Sequence, residues 1–272
     1  MSDKNSAIGI FDSGLGGLTA VREIIEIMPN EDIIYFGDTG RVPYGSKSTD
    51  AINKYARQDA RFLKKMGVKM IVAACGTVSS VAPDLSDELA LPYTGVVYPT
   101  CFTAMNVTKN GKIGVIGTAA TINSHSYKRR IQAKRPDFEV YEQHCQLFVS
   151  FVENGLVDPD DELVQLMVRR YMAPLRESGV DTLILGCTHF PLLAEAIHRE
   201  MGDGVTLIDS GKETAIYTKK ILEEQGLLRD SEKAGTASFY VSDTPADFEK
   251  YAGLFLKDSL ERNVEHINIE EY

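Results

Sequence analysis

No stretch of this 272-residue chain has the uninterrupted apolar run that a membrane span requires. A secretory signal is missing too: Met1-Ser2-Asp3-Lys4-Asn5-Ser6 is polar and leads straight into a strand-like segment, so a cytoplasmic protein is expected. Cysteine is sparse. Cys75, Cys101, Cys145 and Cys187 stand far apart, with no Cys-x-x-Cys pair. That spacing argues against a disulfide framework and against a zinc site, and leaves free thiols. Positive charge is in deficit, with a formal net charge of −10. Nucleic acid and anionic membranes are therefore poor partners, and a site for an anion must be built locally, against the overall field. Phosphate fingerprints are incomplete as well. In Asp12-Ser13-Gly14-Leu15-Gly16-Gly17-Leu18-Thr19, Thr19 stands where the third glycine of a dinucleotide loop belongs, and no glycine-lysine-serine/threonine run exists.

What is present is apolar material, 43% of residues, enough for one large domain or two modest ones. Near-continuous apolar and β-branched runs at 7–11, 32–36, 70–74, 93–97, 113–116, 138–142, 182–185, 205–208 and 238–241 read as strands buried on both faces of a parallel sheet. Helical stretches at 18–28, 49–66, 159–178 and 214–225 lie between them, stopped by Pro29-Asn30, Gly67, Gly179 and Gly226. Repeated alternation predicts an α/β fold. A weak internal duplication is visible. Ile8-Gly9-Ile10-Phe11 is answered by Ile113-Gly114-Val115-Ile116, and each third strand ends in a cysteine with threonine close behind, Cys75-Gly76-Thr77 and Cys187-Thr188. The pattern predicts two pseudo-symmetric α/β domains, 1–97 with 207–272 and 98–206.

Ligands of parallel sheets bind beyond the carboxyl ends of the strands. Cys75 and Cys187 both fall there, where strand gives way to helix. Unpaired N–H groups and the helix dipole favour an anion at such a place, which predicts thiol pKa values lowered toward neutrality. Cys101 and Cys145 read as small buried hydrophobes. A nucleophilic cysteine enzyme needs one thiol and a histidine base. Inversion at carbon needs two proton carriers, one on each face. His189, two residues beyond Cys187, is placed to stabilise or relay that thiol's proton.

The turn at Asp12-Ser13 faces the same cleft as Cys75, where an aspartate would hold an ammonium group or help the thiol ionise. The loop 37–46 contains Pro43-Tyr44-Gly45, with backbone N–H groups for a carboxylate, although Tyr44 is equally a packing residue. Thr118 and Thr121 occupy the equivalent turn of the second half.

At these positions the chain resembles the glutamate racemases. The matching motifs are Asp12-Ser13-Gly14-Leu15-Gly16-Gly17, Gly37-Asp38-Thr39, Pro43-Tyr44-Gly45, Ala74-Cys75, Leu185-Gly186-Cys187-Thr188-His189-Phe190-Pro191-Leu192-Leu193 and Leu207-Ile208-Asp209-Ser210-Gly211. They span nearly the whole chain in the family's order. The resemblance implies two α/β domains facing across a cleft that holds the active site, in an isomerase that makes D-glutamate for the bacterial cell wall, commonly as a homodimer, with neither pyridoxal phosphate nor metal. It assigns acid/base roles to Cys75 and Cys187, supported by Asp12 and His189. Ser13, Tyr44, Gly45, Thr77, Thr118 and Thr188 are implied to line the substrate, and Glu153 matches an acidic residue near the second cysteine. Gly76 departs from the asparagine the family often carries, leaving only a backbone N–H there.

Two other classes stay open on sequence. One is an aspartate racemase, which shares the two-thiol logic. The other is a binding protein of the same fold with a dead site. A single-cysteine hydrolase leaves one thiol without a role.

Overall fold

The computed structural model describes residues 3–82, 85–256 and 264–272. Ten strands are found among the described residues: β1 (Ile8–Asp12), β2 (Ile33–Gly37), β3 (Met70–Ala73), β4 (Tyr93–Gly95), β5 (Lys112–Gly117), β6 (Glu139–His144), β7 (Thr182–Leu185), β8 (Thr206–Asp209), β9 (Ala237–Val241) and β10 (Val264–His266). Every pairing is parallel. They form two sheets, ordered β10-β9-β2-β1-β3-β4 and β6-β5-β7-β8.

The two sheets share a core order. Within each unit the strands run second, first, third, fourth, so β1 to β4 correspond to β5 to β8. The duplication seen weakly in sequence is thus a duplication of topology. In each unit the winding reverses between the first and third strands, and a crevice opens at their carboxyl ends.

Continuous apolar strands follow from burial on both faces. Ile8 and Ile10 pack beneath Leu18 and Ile24 of the helix Leu18–Ile27, while Phe11 packs on the other face with Phe62 and Leu63 of the helix Thr49–Lys65. Each such side chain contributes roughly 1.5–3 kcal/mol of transfer free energy. Helix ends are set locally. Ser48 accepts from Ala51 N–H and Asp161 accepts from Leu163 and Val164 N–H, as capping requires. Gly67 and Gly179 take the left-handed φ values of 77° and 73° that end the helices before them.

Three departures from sequence expectation concern the sheets. The strand expected at 93–97 ends at Gly95, and Val97 already opens the helix Val97–Val107, with Pro99 in its first turn, where proline's missing N–H costs nothing. The edge strand β10 was not anticipated, because it is three residues long and mostly exposed. The segment 207–209, expected to lie with the first domain, pairs instead with Leu183–Leu185 in the second sheet. We place the return crossing at Asp209–Ser210, where the helix Ser210–Glu224 leaves β8 and packs on Leu18–Ile27.

Candidate active site

Four strand ends converge. Asp12 closes β1 and is followed by Ser13. Cys75 follows β3 and caps the helix Gly76–Val81. Thr118 follows β5 and accepts from Thr121 N–H at 3.3 Å. Cys187 follows β7 and leads through Thr188 and His189 into the turn Phe190–Leu193. Cys75 and Cys187 therefore end equivalent strands of the two units, and both open on one cavity of about 30 Å³.

The first lobe contributes Ser13, Pro43, Tyr44, Gly45, Gly76 and Thr77 to that cavity, and the second contributes Thr118, Glu153, Thr188 and His189. Asp12 and Thr121 are not in its wall. Asp12 is fully buried and Thr121 reaches it through a 3.1 Å contact with Thr118 Oγ1. Sequence reasoning missed Gly14, Val42, Gln146 and Val149, which also line it. A signal for the last two existed. Positions 146, 149 and 153 share one face of the helix Gln146–Glu153, the face that carries Glu153.

The lobes meet tightly over this space. Thr77 and Thr118 hydroxyls touch across it at 3.0 Å, and Thr19 Oγ1 donates to the Thr188 carbonyl at 3.1 Å. A Cβ on Gly76 would lie 2.2 Å from the Gly186 carbonyl oxygen, so no side chain fits there. A Cβ on Gly16 would meet Thr188 Oγ1 at the same distance.

The two thiols sit in different electrostatic surroundings. Burial pushes the Cys75 thiol up to about 12, and the Asp12 carboxylate adds to the shift. The expectation of a lowered value is thus overturned at Cys75. A six-residue helix N-terminus does not offset complete desolvation beside a negative charge. The thiol donates to Ser13 Oγ at 3.6 Å. Cys187 instead has His189 Nδ1 at 3.8 Å, and His189 Nε2 lies 3.1 Å from Glu153 Oε1. Burial opposes the charged ring, but its contacts with Cys187 and Glu153 outweigh burial and bring His189 up to about 10. Asp12 Oδ2 accepts from Gly14 and Gly17 N–H, while Oδ1 is buried without a hydrogen-bond partner. Burial raises its carboxyl above the usual range, although His189 and these N–H groups pull the other way.

Tyr44 turns its hydroxyl away from the cavity, onto Asp38 and Asp59. Tyr44 lines the cavity between Pro43 and Gly45. Cys101 and Cys145 are buried and outside the cavity, as their sequence reading held. Among the described residues, no cluster of three His, Cys, Asp or Glu side chains is arranged to hold a metal ion, and no helix is long and apolar enough to cross a membrane.

Comparison with known proteins agrees with this architecture. The family model described as Asp/Glu/Hydantoin racemase matches residues 17–218. The glutamate racemase of Geobacter metallireducens is 46% identical over 255 residues, covering 93% of this chain and 94% of its own. The crystal structure of glutamate racemase from Francisella tularensis in complex with D-glutamate superposes with a TM-score of 0.91 at 39% identity, covering 99% of this chain and 100% of that one. A glutamate racemase isoform from Bacillus anthracis gives 0.92 at 37% identity, over 97% and 99% of the two chains. These matches make the chain an amino-acid racemase, an isomerase. Within the Asp/Glu/hydantoin racemases, the chain belongs to the glutamate racemase family.

Proposed function

We propose that this enzyme interconverts L- and D-glutamate by a two-base proton transfer between Cys75 and Cys187, and that in the cytoplasm it supplies D-glutamate for peptidoglycan synthesis. The observation that carries the reading is the placement of the two thiols at equivalent strand ends, opening from opposite lobes onto one cavity. The relatives described above, at 37–46% identity, are glutamate racemases, one of them holding D-glutamate, which favours glutamate over aspartate and over a dead binding protein.

The two thiols have different neighbours before substrate arrives. Cys75, beside Asp12, rests as a thiol. Cys187, against the protonated ring of His189, serves as the first base. For the enantiomer that turns its α-hydrogen toward Cys187, the thiolate takes that proton and leaves the electron pair on the α-carbon. Cys75 then gives its proton to the opposite face. Cys187 ends as a thiol, Cys75 as a thiolate, and the configuration is inverted. The other enantiomer needs Cys75 ionised. Asp12, whose carboxyl is raised and whose Oδ1 is unpartnered, is the group placed to draw that proton away. Hydroxyl and N–H groups of Ser13, Gly76, Thr77, Thr118 and Thr188 hold the substrate carboxylates, building locally the anion site that the net charge of −10 does not favour. Fixed donors around the developing carbanion supply the electrostatic part of catalysis. The enzyme works without added cofactor or metal, as a homodimer.

The test is racemisation of purified protein, followed by chirality and by solvent deuterium at Cα. Wild type converts L- to D-glutamate without added cofactor and leaves aspartate unchanged. Cys75→Ala and Cys187→Ala each abolish racemisation, yet each exchanges the α-hydrogen of one enantiomer, a different one for each variant. Full racemisation in either variant would falsify the two-base assignment. Relief of a D-glutamate requirement in a cell-wall-deficient host checks the biosynthetic role, and sedimentation checks the dimer.

A further inference from the structure

Outside the cavity, a buried cluster stands directly behind the Pro43–Gly45 wall. Asp38 and Asp59 are fully buried, and both contact the hydroxyl of Tyr44. Arg41 bridges the two carboxyls. Its Nε donates to Asp38 Oδ2 at 2.6 Å and its Nη2 to Asp59 Oδ1 at 3.1 Å. Asp38 also accepts from Ser242 Oγ at 2.7 Å. The hydrogen count does not close if both carboxyls are ionised. Tyr44 has one hydroxyl hydrogen, and two carboxyl oxygens claim it. Asp38 collects donors on both of its oxygens, so it takes the Tyr44 hydrogen. The 3.1 Å contact between Asp59 Oδ2 and Tyr44 then needs a hydrogen of its own, and the only group that can bring one is Asp59.

We propose that Asp59 is a positioning residue for racemisation: in its neutral form it donates to the Tyr44 oxygen, Tyr44 donates to Asp38, and this relay pins the Pro43–Gly45 wall against Thr118 of the other lobe. Charge agrees. One guanidinium, itself partly exposed, faces two fully buried carboxyls, and desolvation together with Asp38 raises the Asp59 carboxyl well above the usual range, against the pull of Arg41 and Tyr44. The other groups around it are Asp12 at the end of β1, Tyr55 and Gln58 on its own helix, and Glu270, which reaches Arg41 at 3.2 Å. Gly45 transmits the positioning. Its Cα lies so close to Thr118 that a Cβ there would meet Thr118 Cβ at 2.8 Å. A small swing of Tyr44 therefore reaches a residue that holds substrate.

The inference rests on the proposed role of this wall in substrate binding, and its test separates the two. The infrared spectrum of the whole enzyme at neutral pH, wild type minus Asp59→Asn, shows the carbonyl band of a protonated carboxylic acid; its absence overturns the neutral assignment whatever the substrate is. In kinetics, Asp59→Asn, whose amide donates to Tyr44 and accepts from Arg41, keeps KM within about twofold of wild type, whereas Asp59→Ala leaves the Tyr44 oxygen unpaired and raises KM about tenfold with kcat little changed. An Asp59→Ala enzyme with wild-type KM, or an Asp59→Asn enzyme as impaired as Asp59→Ala, overturns the positioning role. If the cysteine variants racemise normally while the infrared band is present, the two-base reading fails and the neutral Asp59 stands.

Discussion

His189 shows at the scale of one residue how a side chain acquires a function from its neighbours. An isolated imidazole titrates near neutrality, but contact with Cys187 and Glu153 holds this one protonated up to about 10 despite its burial. The sign of the consequence is fixed. Activity that depends on the protonated ring persists through neutral pH and falls as pH rises past the ring's own value. Glu153→Gln removes one of the groups that raises that value, so the basic limb of the kcat/KM profile moves to lower pH. An unmoved basic limb in this variant would mean that His189 does not set it. His189 and Cys187 were legible together, being two positions apart at a strand end. That Cys75 is instead pushed up to about 12 was not legible, because burial and the approach of Asp12 across 63 positions of sequence do the pushing.

Parallel strands buried on both faces, at the scale of elements, leave a continuous apolar run in the sequence, and β1, β2, β3, β5 and β7 were readable for that reason. The edge strand β10 and the boundary at β4 were not, because a short exposed strand and the start of a buried helix carry the same residue types. The cleft face of the helix Gln146–Glu153 lay in plain view at helical spacing, but nothing in the sequence says toward which element it turns. Position of an element also depends on single polar anchors. Asp181, just before β7, accepts from Thr108 Oγ1 at 2.6 Å, from Lys109 and Asn110 N–H at 2.7 Å each, and from Thr182 Oγ1 at 2.9 Å, tying the turn before β5 to the start of the cysteine-bearing strand. Partial burial raises its carboxyl, but these donors outweigh burial and hold it below the usual range. Asp181→Ala should cost about 1–3 kcal/mol by thermal unfolding. A depressed carboxyl stabilises above its unfolded value and loses that contribution as pH falls through its folded one. The gap between variant and wild type therefore narrows in acid, and a gap that widens there would assign the effect elsewhere.

Considered whole, the molecule is in a closed state. A cavity of about 30 Å³ has room for about one water, far less than an amino acid requires. Under the proposed reaction, entry of glutamate requires the lobes to part, and we place the junctions between them near Val96 and Asp209. Gly76, like Gly16, permits the close approach of the lobes, since the Gly186 carbonyl occupies the place of any side chain at position 76. Gly76→Ala should wedge the lobes apart. Each lobe keeps its circular dichroism, small-angle scattering reports a larger radius, and racemisation falls by about 10²-fold through misplacement of the thiols. Wild-type activity in this variant would show that the contact at Gly76 is easily relaxed.

The amino-acid sequence by itself determined the α/β class, the repeated unit and the pair of thiols that end its third strands, because each is written in residues close together along the chain. Only the tertiary structure decided that burial and Asp12 push the Cys75 thiol up, that Tyr44 turns its hydroxyl from the cavity to two buried carboxyls, and that Gly76 admits no side chain. These depend on desolvation and on contacts between groups remote in sequence, and both come into being when the two lobes close on one another.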